Sequence, residues 1–154
     1  MMTFTPSEAA VSLTANVHDM LVAFKAAASI RLQIYPGRPA SIFPPSIWQD
    51  VRRDVINFLG VKSTNFMDHV MTLELIAVHG LFDTAEAVEQ RDAFVDAFVS
   101  YVRQNRDVGL AGPNSVLRSM RVVDIPNFTP DWVPEKDRTT YYATLITMEV
   151  AIED

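Results

Sequence analysis

The stretch FMDHVMTLELIAVHG, residues 66–80, decides which fold this chain of 154 residues can adopt. Read as a strand, it carries apolar side chains on both faces: Met71, Leu73, Leu75 and Ala77 on one, and Val70, Ile76 and Val78 on the other. Strands that are covered on both sides of a sheet show this pattern. The stretch therefore predicts the central strand of a β-sheet.

Amphipathic helices are predicted before and after this strand. Thr5 and Glu8 form a capping box with Pro6 at the first helical position, and Asp83 and Glu86 form a second capping box with Asp83 as N-cap. An apolar stripe at helical spacing follows each box. The stripes consist of Leu13, Val17, Met20, Leu21, Phe24 and Ala28 in the first helix, and of Ala87, Val88, Phe94, Val95, Phe98, Tyr101 and Val102 in the second.

Four further stretches are predicted as strands, namely residues 30–35, 46–51, 115–125 and 139–153. By parity, Arg118 and Arg121 fall on opposite faces of their strand. Residues 52–64 suit either a short strand or a helical turn. The order helix, strands, helix, strands predicts an α+β fold, with a mixed, mostly antiparallel β-sheet and two main α-helices packed on one face. We expect one domain over residues 1–154.

The stretch SIFPPSIWQD, residues 41–50, interrupts an apolar run with two prolines. Pro44 and Pro45 cannot lie in a central strand, because proline lacks the backbone donor and fixes φ. They can stiffen a loop that offers Ile42, Phe43 and Trp48 either to the core or to a neighbouring subunit. For Trp48, burial in the core is the preferred alternative.

A second loop, from Pro126 to Thr139, is polar and proline-bearing but contains Phe128 and Trp132. Loops of this length without secondary structure are usually functional or disordered. A tryptophan with a charged rim is typical of an interface hot spot, so we predict that this loop is mobile in the monomer and docks on a neighbouring subunit or on a partner. The alternative is that Trp132 folds back onto its own subunit.

The sequence contains no recognisable catalytic, cofactor or metal motif. There is no cysteine, and no Walker loop, dinucleotide fingerprint, G-x-S-x-G or H-E-x-x-H occurs. His69, Glu74 and His79 share a strand, but parity places Glu74 on the face opposite the two histidines, which argues against a metal site. The residues therefore predict no catalytic constellation, and no cofactor is expected.

The net charge of −6 is unevenly distributed. Residues 1–60 carry five basic and four acidic side chains, whereas residues 61–154 carry eight and fifteen. Such a chain is not expected to grip nucleic acid by counterion release, although an acidic surface suits a conduit through which DNA passes. No signal peptide or membrane-spanning run is visible, so we expect a soluble protein made in the cytoplasm.

The order of these segments resembles the tail terminator and tail-completion (neck) proteins of long-tailed bacteriophages. The resemblance rests on IRLQIYPGRPASIFPPSIW after an N-terminal helix, a central strand before an aromatic-rich helix, GLAGPNSVLRSMRVVDIPNF, and a final YYATLITMEVAIE. It covers most of the chain as an ordered layout. Residues 52–64 depart from the family pattern.

The resemblance implies a structural virion protein without catalysis. Such proteins form hexameric rings at the head-proximal end of the tail tube, where they stop tube polymerisation and offer a surface to head-completion proteins. The implied partners are other copies of the chain, the major tail tube protein and a neck protein, while DNA passes through without specific binding and no membrane is involved. Phe43, Trp48, Phe128 and Trp132 are the hypothesised interface residues.

Other readings remain open at the level of the sequence. One is another neck component, such as a head–tail connector or a minor tail protein, and another is an assembly chaperone that is absent from virions. A small α+β enzyme or ligand-binding domain would need a deep pocket with convergent polar groups and perturbed pKa values.

Overall fold

The computed structural model describes residues 8–58, 67–105 and 115–153. In chain order, its elements are α1 (Glu8–Ala28), β1 (Gln33–Tyr35), β2 (Ser46–Phe58), β3 (Met67–Leu81), α2 (Ala85–Gln104), β4 (Ser115–Phe128), a short 3₁₀ helix (Glu135–Asp137) and β5 (Tyr141–Glu153). Neither described α-helix has the length and apolar character that crossing a bilayer requires.

The five strands form one sheet in the order β1-β2-β3-β5-β4. Only β1 runs parallel to its neighbour, β2, and the other three pairings are antiparallel. The stretch 66–80 supplies β3, which has strands on both sides. The prediction of an α+β fold built on a mixed, mostly antiparallel sheet with two main helices is thus confirmed.

One face of the sheet forms the larger hydrophobic core. Leu73, Leu75 and Ala77 of β3 lie beside Met148, Ile146 and Ile47 of the neighbouring strands, and the predicted alternation of β3 is confirmed. Both helices contribute side chains to this cluster: Val17, Met20, Leu21 and Phe24 of α1, and Phe94, Phe98 and Val102 of α2. The ring of Phe24 meets those of Phe94 and Phe98 edge to face, an arrangement that aromatic pairs favour.

The opposite face carries apolar residues toward both ends of β3. Near the start of β3, Val70 lies in register with Val55 of β2 and Ala151 of β5, and near its end a smaller hydrophobic cluster contains Ile42, Trp48, Ile76, Val78 and Ala143. Between these two ends, the sequence alternation brings polar residues into register, with Glu74 opposite Thr147 and Thr72 opposite Glu149. The two hydrophobic clusters therefore draw on different elements: both helices contribute to the larger one, and the loops before β2 and after β4 contribute to the smaller one.

The structure shortens one predicted strand, resolves part of one open segment and leaves one parity prediction undetermined. The strand predicted over 30–35 is confined to β1, because only Gln33–Tyr35 lies in register with β2. Residues 52–58, left open between strand and helix, continue β2 against β3, whereas 59–64 lie outside the described residues. A β-bulge between Leu117 and Ser119 makes Arg118 the extra residue, so parity does not determine its face.

The start of α2 also differs from the prediction. The N-cap is Thr84, not Asp83, since the Thr84 hydroxyl accepts a hydrogen bond from the Ala87 amide at 3.2 Å. Asp83 instead takes a left-handed conformation with φ of 58°, which aspartate tolerates better than most residues. Val88, predicted in the buried stripe, is 46% exposed. The predicted N-cap of α1 at Thr5 lies outside the described residues.

Candidate functional site

The structure brings together three of the four hypothesised interface residues in an aromatic cluster. Trp48, at the start of β2, is fully buried, with its ring centroid 6.0 Å from that of Trp132 and 6.3 Å from that of Phe128. Phe128 and Trp132 are themselves 6.0 Å apart, and Tyr35 closes the cluster 6.4 Å from Trp48. The cluster joins β1, β2, the end of β4 and the loop after it.

Arg38 fastens the outer side of this aromatic cluster. Its guanidinium forms two hydrogen bonds to the Asp50 carboxylate, at 2.8 and 3.2 Å, and lies 4.7 Å from the centroid of the Trp132 ring. The hydrogen bond to Asp50 raises the pKa of Arg38 above its ordinary value. Asp50 also accepts a hydrogen bond from the indole of Trp48. The Asp50 carboxylate thus accepts a hydrogen bond from buried Trp48 and forms a bidentate ion pair with Arg38. The Arg38 guanidinium in turn lies over the ring of partly buried Trp132.

Residues 129–140, the loop between β4 and β5, are held against their own chain. The Trp132 indole donates a 2.8 Å hydrogen bond to the carbonyl of Pro39. Arg138 donates to the carbonyls of Val133 and Asp131, both at 2.9 Å. Trp132 is partly buried in these contacts. In the structure Trp132 is therefore folded back onto its own subunit, which is the alternative to the predicted docking.

Phe43 stands apart from the other three hypothesised residues. It is 64% exposed, the largest exposed fraction among the large apolar side chains of the described residues. Its amide donates to the hydroxyl of Tyr35 at 3.2 Å, so the backbone at Phe43 is tied to the aromatic cluster while its ring faces solvent. In the sequence, Pro44 and Pro45 separate Phe43, whose ring is exposed, from Trp48, which is buried.

A polar network joins the sheet to α2, near the end of β3. His79 Nε2 is 2.7 Å from the hydroxyl of Thr144, which donates to Asp124 at 3.2 Å. Asp124 accepts a further hydrogen bond from Arg91 of α2 at 3.0 Å. The network therefore connects β3, β5, β4 and α2.

The direction of these hydrogen bonds fixes the tautomer of the neutral His79 ring. Because the Thr144 hydroxyl donates its only proton to Asp124, His79 Nε2 must be the donor to Thr144, and in the neutral ring Nδ1 is then the nitrogen without a proton. Burial lowers the pKa of His79 to about 4, even though the nearby carboxylate of Asp124 acts in the opposite direction. His79 is thus neutral at physiological pH.

A cavity of about 320 Å³ opens beside His79, between the proline pair and the first turns of α2. Its charged and polar lining consists of Arg31, His79, Thr84, Glu86 and Gln90. His79 is the only one of these residues that is buried. Arg31, Glu86 and Gln90 are exposed, whereas the Thr84 hydroxyl is held by its hydrogen bonds to Leu81 and Ala87.

Sequence reasoning missed both the His79 network and the Arg38–Asp50 ion pair. Parity places His79 on the same strand face as His69 but does not predict its burial, and His79 is 3% exposed. The signal available was its position next to Gly80, because a β-bulge between Val78 and Gly80 places His79 where it meets Thr144. Among the described residues, no three histidine, cysteine or acidic side chains are grouped as a metal ion would need.

Comparisons with known proteins leave the family of this chain open. No protein-family model matches it, and no curated protein matches it significantly either.

Proposed function

We propose that this protein is a structural component of a phage virion, forming a ring at the head-proximal end of the tail tube. In this role it terminates tube polymerisation and offers the joining surface for the head or neck. Its partners are other copies of the same chain, the major tail tube protein and a head-completion protein, and it has no catalytic activity.

The observation that carries this proposal is the ordered layout of segments that resembles the tail terminators. The α+β fold is compatible with it. Further support comes from the two long loops at one end of the sheet, which are fixed by the Arg38–Asp50 pair and the aromatic cluster instead of hanging free. Preorganised loops lose little conformational entropy on docking, which suits an assembly surface.

A cyclic ring is the expected assembly, since a closed heterologous contact satisfies every subunit equally. Multi-angle light scattering over a concentration series should show a monomer, a hexamer or an equilibrium between them. A stable dimer as the only species would count against the ring.

Mass spectrometry of purified virions tests the place of the protein in the particle. A handful of copies per particle is expected for a tail terminator. Absence from the particle would contradict the proposal and favour an assembly chaperone, whereas gene order beside a major tail protein separates the terminator from other neck components.

One observation favours a second candidate, a small α+β ligand-binding domain. The cavity beside His79 is lined by polar groups, and burial has lowered the pKa of His79 itself to about 4. Groups with shifted pKa values cluster at functional sites. A fragment library screened by ¹H–¹⁵N spectra tests this candidate. Saturable shifts confined to His79, Gly80 and Thr84 would support it, and spectra unchanged by every fragment would exclude it.

A further inference from the structure

Exposed apolar side chains are concentrated at one end of the described structure. Among the residues whose side chains the structure describes, six large apolar ones are exposed, and four of them are Phe43 at 64%, Leu81 at 53%, Phe82 at 49% and Val88 at 46%. The other two are Val22 on α1 and Val123 on β4. We name Phe43, Leu81, Phe82 and Val88 the apolar end.

Backbone pairing and shared cavities place these four residues together. Leu81 pairs with Tyr141 where β3 ends and β5 begins, and Tyr141 lines a cavity of about 250 Å³ with Phe43. Leu81 lines the 320 Å³ cavity with the proline pair that follows Phe43. Phe82 and Val88 line a third cavity of about 240 Å³. Three grooves therefore open around the apolar end.

The backbone under the apolar end is fixed at several points. The Phe43 amide is bonded to Tyr35, and the Phe82 amide donates to the carbonyl of Thr140 at 3.0 Å. The hydroxyl of Thr84 donates to the carbonyl of Leu81 at 2.9 Å while it caps α2. These exposed rings are consequently presented by a rigid frame, as the anchors of an interface usually are.

The charges around the three grooves indicate what can dock there. The acidic residues lining them are Glu86, Asp83 and Asp137, one in each groove, and Arg31 is the single basic residue among the described lining residues. A surface of this kind is complementary to one that presents apolar side chains among lysines or arginines. Two copies meeting through this end would bring Asp83 and Glu86 of each close to like charges, so a second copy is the poorer occupant.

We infer that the apolar end is the surface that binds the end of the tail tube, through a tube-protein surface rich in apolar and basic side chains. This inference rests on the proposed function and adds to it the contacting residues. Contiguous exposed apolar surface rimmed by polar groups is typical of protein–protein docking sites. The subunit contacts that close the ring would then lie elsewhere on the molecule.

The test uses tubes assembled from the major tail protein of the same phage and the full-length chain. The double variant Phe43→Ser with Phe82→Ser removes the two exposed rings. Val22→Ser is the matched control, since Val22 is 47% exposed but lies on α1. Binding to tube ends is measured by co-sedimentation and by tube length in electron micrographs, and the ring is followed by light scattering.

We expect the double variant to form the same oligomer as the wild type but to bind tube ends at least tenfold more weakly, with Val22→Ser unchanged. Wild-type binding to tube ends should also weaken as salt rises, because the charged rims are screened. Equal binding by the wild type and the double variant overturns the inference and leaves the proposed function standing. Loss of the oligomer in the double variant overturns it in favour of a subunit interface. If the wild type itself does not bind tube ends, the proposed function fails and the inference fails with it.

Discussion

His79 shows how a single residue joins several elements. It lies in the bulge of β3, and its partner Thr144 is 65 positions away in the sequence. Through Thr144 and Asp124 it connects the central strand to the edge strand β4 and to α2. Buried polar networks of this kind stabilise one packing arrangement as long as every member keeps its partner.

The lowered pKa of His79 makes the stability of the fold dependent on pH. The unfolded chain binds a proton at His79 below about pH 6.5, but the folded chain does so only near pH 4, so the free energy of unfolding falls as pH decreases through this window. The loss amounts to about 3 kcal/mol at the lower limit. Denaturant unfolding at a series of pH values from 7 to 4 gives the free energy of unfolding as a function of pH. This free energy should fall less steeply with decreasing pH in His79→Gln than in the wild type. His18→Gln, which alters an exposed histidine of α1, is the matched control, and equal slopes for all three proteins would contradict the prediction.

One substitution can tell whether Trp132 stabilises its own subunit or serves as an interface residue. Because it packs on Trp48 and bonds to Pro39, Trp132→Ala should lower the free energy of unfolding by roughly 2–4 kcal/mol. Phe43→Ala removes an aromatic ring of similar size that is 64% exposed, and should change stability by less than about 0.5 kcal/mol. Chemical denaturation measures both. A Trp132→Ala protein as stable as the wild type but unable to assemble would restore the interface role predicted from the sequence.

The contact between β3 and α2 depends on a glycine at the element scale. A Cβ atom added at Gly80 would lie 3.0 Å from the Cβ and 3.1 Å from the Cα of Ala87, a fully buried residue in the first turn of α2. The backbone of α2 cannot retreat cheaply, because Thr84 caps the helix just before this contact. Close approach of helix and strand here therefore requires the smallest residue.

Gly80→Ala is accordingly expected to destabilise the protein by about 1–3 kcal/mol, as overpacking usually does. Gly37→Ala provides the control, since an added Cβ there meets nothing within 4 Å. The second variant should be neutral or slightly stabilising, because alanine has less conformational freedom than glycine in the unfolded chain. Thermal unfolding of the two variants is the measurement, and a smaller loss at Gly80 than at Gly37 would show that the helix moves away freely.

At the scale of the whole molecule, charge separates a conduit for DNA from a DNA-binding protein. Residues 61–154 hold fifteen acidic and eight basic side chains, so we expect affinity for duplex DNA weaker than about 10⁻⁴ M at physiological salt. A mobility-shift titration in 50 and 150 mM salt checks this. Tight binding that weakens steeply with salt would contradict the conduit and favour a nucleic-acid-binding function.

The sequence by itself determined the two helices, the approximate positions of the five strands and the apolar face of β3. The alternation of β3 and the apolar stripe of α1 from Val17 to Phe24 are confirmed, because burial of a strand face or a helix stripe leaves a period that a short window contains. The α+β class follows from the order of these elements. The sequence did not show whether Asp83 or Thr84 caps α2. The turn after β3 puts Asp83 in the left-handed region and leaves Thr84 as the N-cap.

Only the tertiary structure decided the candidate sites. The bulge that turns His79 toward Thr144, the seat of Trp132 on Trp48, and the grouping of Phe43 with Phe82 all join residues that are far apart in the sequence. Partners at such distances leave no periodic signal, because the register between strands and the path of the loops select them. The physical reason is that periodicity records whether a residue is buried, whereas the contact it makes there is a property of the assembled sheet.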